Sequence, residues 1–159
     1  TNIQLTKVQS KAIIGQGRYG ETKLILAKPQ TFMNLSGQAI VGLLHFYKIP
    51  IESLLVIHDD LDLPLGTIRI RPGGGSAGQK GLASTIERLG TQEFPRLRIG
   101  IGRPPGRMEA ADYVLQDFPA SEQELLQQVL THAMEAALTF VRAGLNQAMN
   151  QFNGSLTKE

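Results

Sequence analysis

Hydrophobic and polar positions alternate along this chain with two different periods, and the switches between them mark its elements. Residues 11–16 and 22–27 read as two strands of a hairpin around the turn-like Gly17-Arg18-Tyr19-Gly20-Glu21, leading into Lys28-Pro29. Between Met33 and Tyr47 the apolar residues Ala39, Ile40, Leu43, Leu44 and Tyr47 return at three- and four-residue intervals, which predicts an amphipathic helix ended by Ile49-Pro50. Residues 54–57 form a short apolar run expected to be a buried strand, followed by the acidic loop His58-Asp59-Asp60-Leu61-Asp62. Residues 67–70 alternate as a strand does. A glycine-rich loop over residues 73–81 feeds a helix marked by Leu82, Ile86 and Leu89 and closed by Gly90, and a further strand is predicted at 97–101. Beyond a Pro- and Gly-rich loop at 102–107, Ser121 and Glu124 have the spacing of a capping box that opens a long helix. Leu125, Leu126, Val129, Ala133, Ala136, Ala137 and Phe140 give that helix its buried stripe.

Strands alternating with helices predict an α/β fold, a single domain over residues 1–159 in which helices flank a mixed twisted sheet. With 159 residues, 42% hydrophobic and 19% charged, the chain has the composition of a globular domain that buries roughly 70% of its unfolded surface. It contains no cysteine, which excludes disulfide frameworks, thiolate metal sites and cysteine nucleophiles. No apolar run approaches the ~20 residues of a membrane span, so the expectation is a cytoplasmic protein without a membrane partner.

The net charge of +2 is uninformative, but its distribution is not. Arg69, Arg71, Lys80, Arg88, Arg96, Arg98, Arg103 and Arg107 fall in one stretch opposed only by Glu87 and Glu93, whereas residues 109–135 carry acids and no Lys or Arg. Solvated surface arginines and a face suited to phosphates both account for that asymmetry.

Three segments carry candidate chemistry. Gly73, Gly75 and Gly78 satisfy the G-x-G-x-x-G spacing of a dinucleotide loop, but the pattern lies deep in the chain, and the next strand ends in Gly100 and Gly102 with no ribose-binding acid. It is not a P-loop either, since Gln79 separates Gly78 from Lys80 and no Ser or Thr follows. Small residues before a helix N-terminus still favour close approach of a phosphate or carbonyl. Asp59, Asp60 and Asp62 follow a buried strand, where they fit a solvated turn, a Mg²⁺ contact or a group orienting a general base. Asn34 fits a helix cap or an amide holding a carbonyl oxygen or a water. His45, His58 and His132 are expected to be structural.

Four motifs taken in order are more specific than any one: Lys28-Pro29-Gln30-Thr31-Phe32-Met33-Asn34-Leu35-Ser36-Gly37, His58-Asp59-Asp60-Leu61-Asp62-Leu63-Pro64, Gly73-Gly74-Gly75-Ser76-Ala77-Gly78 and Arg96-Leu97-Arg98-Ile99-Gly100-Ile101-Gly102-Arg103-Pro104. Together they resemble the bacterial peptidyl-tRNA hydrolases over residues 11–152. The resemblance implies a metal-free, cofactor-free esterase in which a histidine, oriented by an aspartate, activates the water that cleaves peptidyl-tRNA. It makes Asp59 the orienting aspartate and gives Asn34 the peptide or the water, with Phe32 and Met33 in the substrate groove. Arg71 and Arg98 match the basic pair that clamps the tRNA 5′-phosphate, and the protein is expected to act as a monomer.

Two departures from the family pattern shape the expectation. The family's opening strand, its Gly-x-Gly-Asn-Pro-Gly loop and its histidine-bearing helix have no counterpart here. The chain is therefore expected to be an N-terminally incomplete enzyme, nearly inactive alone because loss of a general base costs about 10²- to 10⁴-fold. Gln79 and Lys80 stand where many relatives have His-Asn in the substrate site. The competing expectation is a non-catalytic RNA-binding relative of the same fold.

Overall fold

The computed structural model describes residues 1–157. Its first layer is an antiparallel meander of β1 (Lys7–Gln9), β2 (Ala12–Tyr19) and β3 (Thr22–Pro29). Ser10 and Lys11 both adopt positive φ in the two-residue turn between β1 and β2, as a hairpin matched to strand twist requires. The turn after β2 is only Gly20-Glu21, so Gly17-Arg18-Tyr19, expected in the turn, belong to the strand. Gly15 and Gly17 are glycine for another reason: a Cβ at either position would collide with Ile3, and at Gly15 also with the Gln4 backbone, because the N-terminal segment lies across the strand.

A single 3-10 turn, Met33–Leu35, then opens α1 (Ser36–Tyr47). The helix stops at Lys48, whose left-handed φ of 52° turns its N–H back to the His45 and Leu44 carbonyls just ahead of Ile49-Pro50. The second sheet has the order β4-β6-β5-β7, built from β4 (Val56–Asp60), β5 (Thr67–Arg71), β6 (Arg96–Gly100) and β7 (Gly154–Ser155). β4 runs parallel to β6, whereas β5 is antiparallel to both β6 and β7. The fold is thus the expected mixed α/β arrangement, but with two sheets in place of one, since among the described residues no ladder joins β3 to β4.

Helices cover these sheets. α2 (Lys80–Leu89) packs on α1 so tightly that a Cβ on Gly37 would clash with the Ser84 backbone, and Ser84 Oγ accepts the Gly37 N–H at 2.9 Å. α4 (Gln123–Ala143) and α5 (Leu145–Phe152) close the other side. Val129, Ala133 and Ala136 of α4 and Ala148 of α5 meet Ile68, Ile70 and Leu97, the inward residues of β5 and β6. A smaller cluster, Ala12, Ile14, Ala39 and Leu43, seats α1 on β2. The predicted capping box does not form: residues 120–122 make a 3-10 turn after Pro119, which places Ser121 inside that turn, and no side chain caps α4. A short α3 (Ala110–Tyr113) and the break at Gly144 between α4 and α5 had no signal in the apolar periodicity.

Candidate active site

The acidic segment is strand before it is loop. β4 stays in register with β6 through Asp60 opposite Gly100, so only Leu61 and Asp62 of the expected loop lie in the turn. Nor are residues 54–57 a buried strand: the ladder starts at Val56, and Ile57 is exposed. Edge position makes both observations compatible, since β4 has a partner on one side only among the described residues.

Three expected site residues converge here. Gln79 caps α2, its Oε1 accepting the Leu82 N–H at 2.6 Å, while its Nε2 donates to Asp59 Oδ1 at 3.2 Å and lies 3.6 Å from Met33 Sδ. One amide therefore joins the aspartate, the methionine of the expected groove and the helix that follows the glycine loop. Phe32 is 81% exposed and Met33 55%, an apolar ledge left open beside the carboxylate. Asn34 sits on the exposed 3-10 turn, and its amide has no hydrogen-bond partner among the described residues and caps no helix. Lys80 is exposed at the first position of α2.

His58, expected to be structural, is placed more suggestively. Its Nδ1 donates to the Asp59 carbonyl at 2.8 Å, whereas its buried Nε2 has no hydrogen-bond partner among the described residues. Burial pushes the imidazole below its ordinary value of 6.5, although the Asp59 hydrogen bond and the charges of Asp60 and Asp59 pull the other way. His58 and Thr31, whose buried hydroxyl also has no partner among the described residues, line a largely apolar cavity of about 520 Å³ walled by residues of β3, α1, β4 and α2. Ile25, Leu43, Val56 and Leu82 form its walls, and Asp59 and Gln79 stand at its margin.

Beside this lies the basic face. In-register neighbours share a side of a sheet, and Arg69 pairs with Arg98 while Arg71 pairs with Arg96. Four arginines thus share one face, but they are not equivalent. Arg71 is exposed, as a phosphate contact needs, and Arg98 retains 19% side-chain exposure while its Nε donates to Asp60 Oδ2 at 2.6 Å. Arg96 must be removed from the expected phosphate face, because it is 2% exposed and its guanidinium holds the carbonyls of Gly74 (2.7 Å), Gly75 (3.2 Å) and Gln92 (2.6 Å). It braces the glycine loop from beneath and stacks over Phe94 at 4.3 Å.

Asp60, one of the three acids singled out in the sequence, was given no role by the resemblance. Its Oδ2 takes Arg98, its Oδ1 takes the Asp62 N–H at 2.8 Å, and Asp62 in turn pairs with Arg103. Burial pushes its carboxyl up, but Arg98, the Asp62 amide and His58 outweigh that and hold it below its ordinary 3.8. Its only sequence signal was the repeated acid in a His-Asp-Asp run.

Asp59 near the end of β4, the exposed Asn34 amide beside Phe32 and Met33, and the arginines of β5 and β6 thus lie on one α/β domain. The chain belongs to the peptidyl-tRNA hydrolase family, whose family model, described as Peptidyl-tRNA hydrolase, matches residues 1–159. It is 47% identical over 152 residues to the chloroplastic peptidyl-tRNA hydrolase of Arabidopsis thaliana, covering 95% of this chain and 53% of that protein. Against the peptidyl-tRNA hydrolase of Syntrophomonas wolfei it is again 47% identical over 152 residues, covering 94% of this chain and 82% of the relative. The crystal structure of peptidyl-tRNA hydrolase from Acinetobacter baumannii superposes with a TM-score of 0.89 at 36% identity, over 96% of this chain and 78% of that one. This chain therefore spans about half the length of the chloroplast relative and about four-fifths of the bacterial ones.

Proposed function

We propose that this chain forms the substrate-binding and aspartate-bearing part of an enzyme that hydrolyses the ester of peptidyl-tRNA, releasing peptide and tRNA. The observation that carries this reading is the convergence of Asp59, Gln79 and Met33, one strand away from Arg98. Asp59 orients the histidine that activates water. None of the three histidines in residues 1–159 has the family's sequence context, so this reading gives that role to none of them. Asn34 holds the peptide carbonyl or the water, and Phe32 and Met33 receive the apolar parts of the peptide. Gln79 keeps the Asp59 carboxylate aimed, and Lys80, exposed beside it, contributes positive charge to the substrate side.

Arg71 and Arg98 bind the 5′-phosphate, so that charge sets the tRNA's register while the ester falls beside Asp59. No helix among the described residues is long and apolar enough to cross a membrane. The enzyme works as a monomer on peptidyl-tRNA in the cytoplasm, without metal or cofactor. The test is cleavage of a peptidyl-tRNA by the full-length gene product beside its Asp59→Ala form. A fall in kcat of about 10²-fold or more supports the assignment, and equal rates remove Asp59 from the mechanism. Tight tRNA binding with no cleavage by the full-length product identifies a non-catalytic RNA-binding relative.

A further inference from the structure

The single hydrogen bond between Arg98 and Asp60 uses the guanidinium in a particular way. Asp60 takes only the Nε–H, at 2.6 Å, and neither terminal nitrogen of Arg98 has a hydrogen-bond partner among the described residues. An arginine held by Nε has one degree of freedom removed while its two terminal amino groups remain available as a parallel donor pair, the edge that grips a phosphate with two bonds. The carboxylate cannot follow the guanidinium outward. Its other oxygen is fixed by the Asp62 N–H, its side chain is 5% exposed, and its backbone carbonyl accepts the Ile101 N–H at 3.0 Å. Asp60 is also the residue next to Asp59 on β4.

We propose that Asp60 is a positioning residue for phosphate recognition: it holds Arg98 by Nε, presents the terminal amino groups of that arginine to the tRNA 5′-phosphate, and fixes this contact to the strand that carries Asp59. The inference rests on the reading that Arg98 meets the 5′-phosphate. It adds that the arginine's orientation is imposed before substrate arrives, so the carboxylate acts through Arg98 and touches no substrate atom. Asp60 also offsets the like charge that Arg69 and Arg98 bring together across β5 and β6.

The experiment compares peptidyl-tRNA substrates bearing a 5′-phosphate or a 5′-hydroxyl, using the full-length gene product and its Asp60→Asn, Asp60→Glu and Arg98→Ala variants. Asn keeps an oxygen for the Asp62 N–H but turns a second donor toward Arg98, so it breaks the brace with the smallest change of shape. A two-bond phosphate contact gives the unaltered enzyme a preference for the phosphorylated substrate of roughly ten- to a hundredfold in KM. Arg98→Ala is expected to remove most of that preference, leaving only what Arg71 supplies. Asp60→Asn is expected to reduce it to about threefold or less, with KM moving more than kcat, and Asp60→Glu to recover part of it. Once Arg98 is alanine, adding Asp60→Asn is expected to change the preference no further. Full preference in Asp60→Asn, with most of the preference lost in Arg98→Ala, overturns the positioning role and leaves the phosphate reading standing. Undiminished preference in Arg98→Ala overturns both. If Asp60→Asn does not fold, a preference in Asp60→Glu equal to that of the unaltered enzyme counts against the brace, because a longer side chain cannot hold Nε in the same place.

Discussion

Gln79 touches Asp59 with one end of its amide and caps α2 with the other, the two contacts being 3.2 and 2.6 Å long. Gln79→Glu separates these functions. A carboxylate still accepts the Leu82 N–H, but it replaces the donor to Asp59 by a like charge. Peptidyl-tRNA hydrolysis is expected to fall about tenfold or more with thermal stability nearly unchanged, whereas Gln79→Ala also loses about 1 kcal/mol of capping. Undiminished activity in the glutamate variant shows that the aspartate needs no such donor.

Arg71 is exposed and has no ion-pair partner among the described residues, so its removal leaves no buried charge behind. Arg71→Ala is expected to weaken tRNA binding and to lower the slope of log affinity against log salt by about one counterion. Titrations at several salt concentrations measure the slope, and an unaltered value removes Arg71 from the phosphate site.

His58 makes stability depend on mild acid. Its folded value lies below 6.5, so on acidification the unfolded chain takes up the proton first and the unfolded state gains. Stability is therefore expected to decline as pH falls from about 6.5 to the lowered value and to level off beneath it. Asp60, held below 3.8, contributes stability that is lost only at lower pH. Urea midpoints between about pH 7 and 5 check the first window, in which His58→Gln should be flatter. Parallel pH profiles for the two proteins exclude the imidazole as the source.

Arg96→Met keeps most of the side-chain volume and removes the guanidinium donors to the Gly74, Gly75 and Gln92 carbonyls, of which Gln92 alone retains another, the Gly74 N–H at 3.1 Å. Orphaned carbonyls cost about 1–3 kcal/mol each when they stay dry, and some will rehydrate. A net loss of roughly 2–4 kcal/mol is expected, read by denaturant unfolding. A loss under about 0.5 kcal/mol means the loop holds its shape without the brace.

Gly37→Ala tests the α1–α2 contact. Its new methyl would meet the Ser84 carbonyl, and backbone cannot move aside as a flexible side chain does. Destabilisation of about 1–3 kcal/mol is expected from overpacking, against a gain of up to about 1 kcal/mol if helix propensity alone decided.

The periodic elements were legible because their periods are set locally: the stripe through Leu43 and Leu44, and the alternation of Thr67 to Ile70, need no knowledge of partners. What escaped depended on residues far along the chain. Asp59 and Asp60 look like loop because carboxylates are rare in strands, and the arginine that stabilises Asp60 lies 38 positions away. Gly17 looks like a turn, yet it is small because Ile3 crosses it. Arg96 and Arg98 are indistinguishable by type and spacing, but one meets backbone carbonyls in the interior and the other reaches solvent. The expected roles of Asp59, Asn34, Arg71 and Arg98 came from the family resemblance, and the periodicity of the chain would not have assigned them.

Because Arg96 draws the carbonyls of Gly74 and Gly75 inward, the glycine loop takes its shape from the sheet beneath it. The conformational freedom that so many glycines would otherwise retain is surrendered during folding. On the reading proposed above, a substrate that reaches this rim meets a preformed surface, and little of its binding energy goes into ordering the protein.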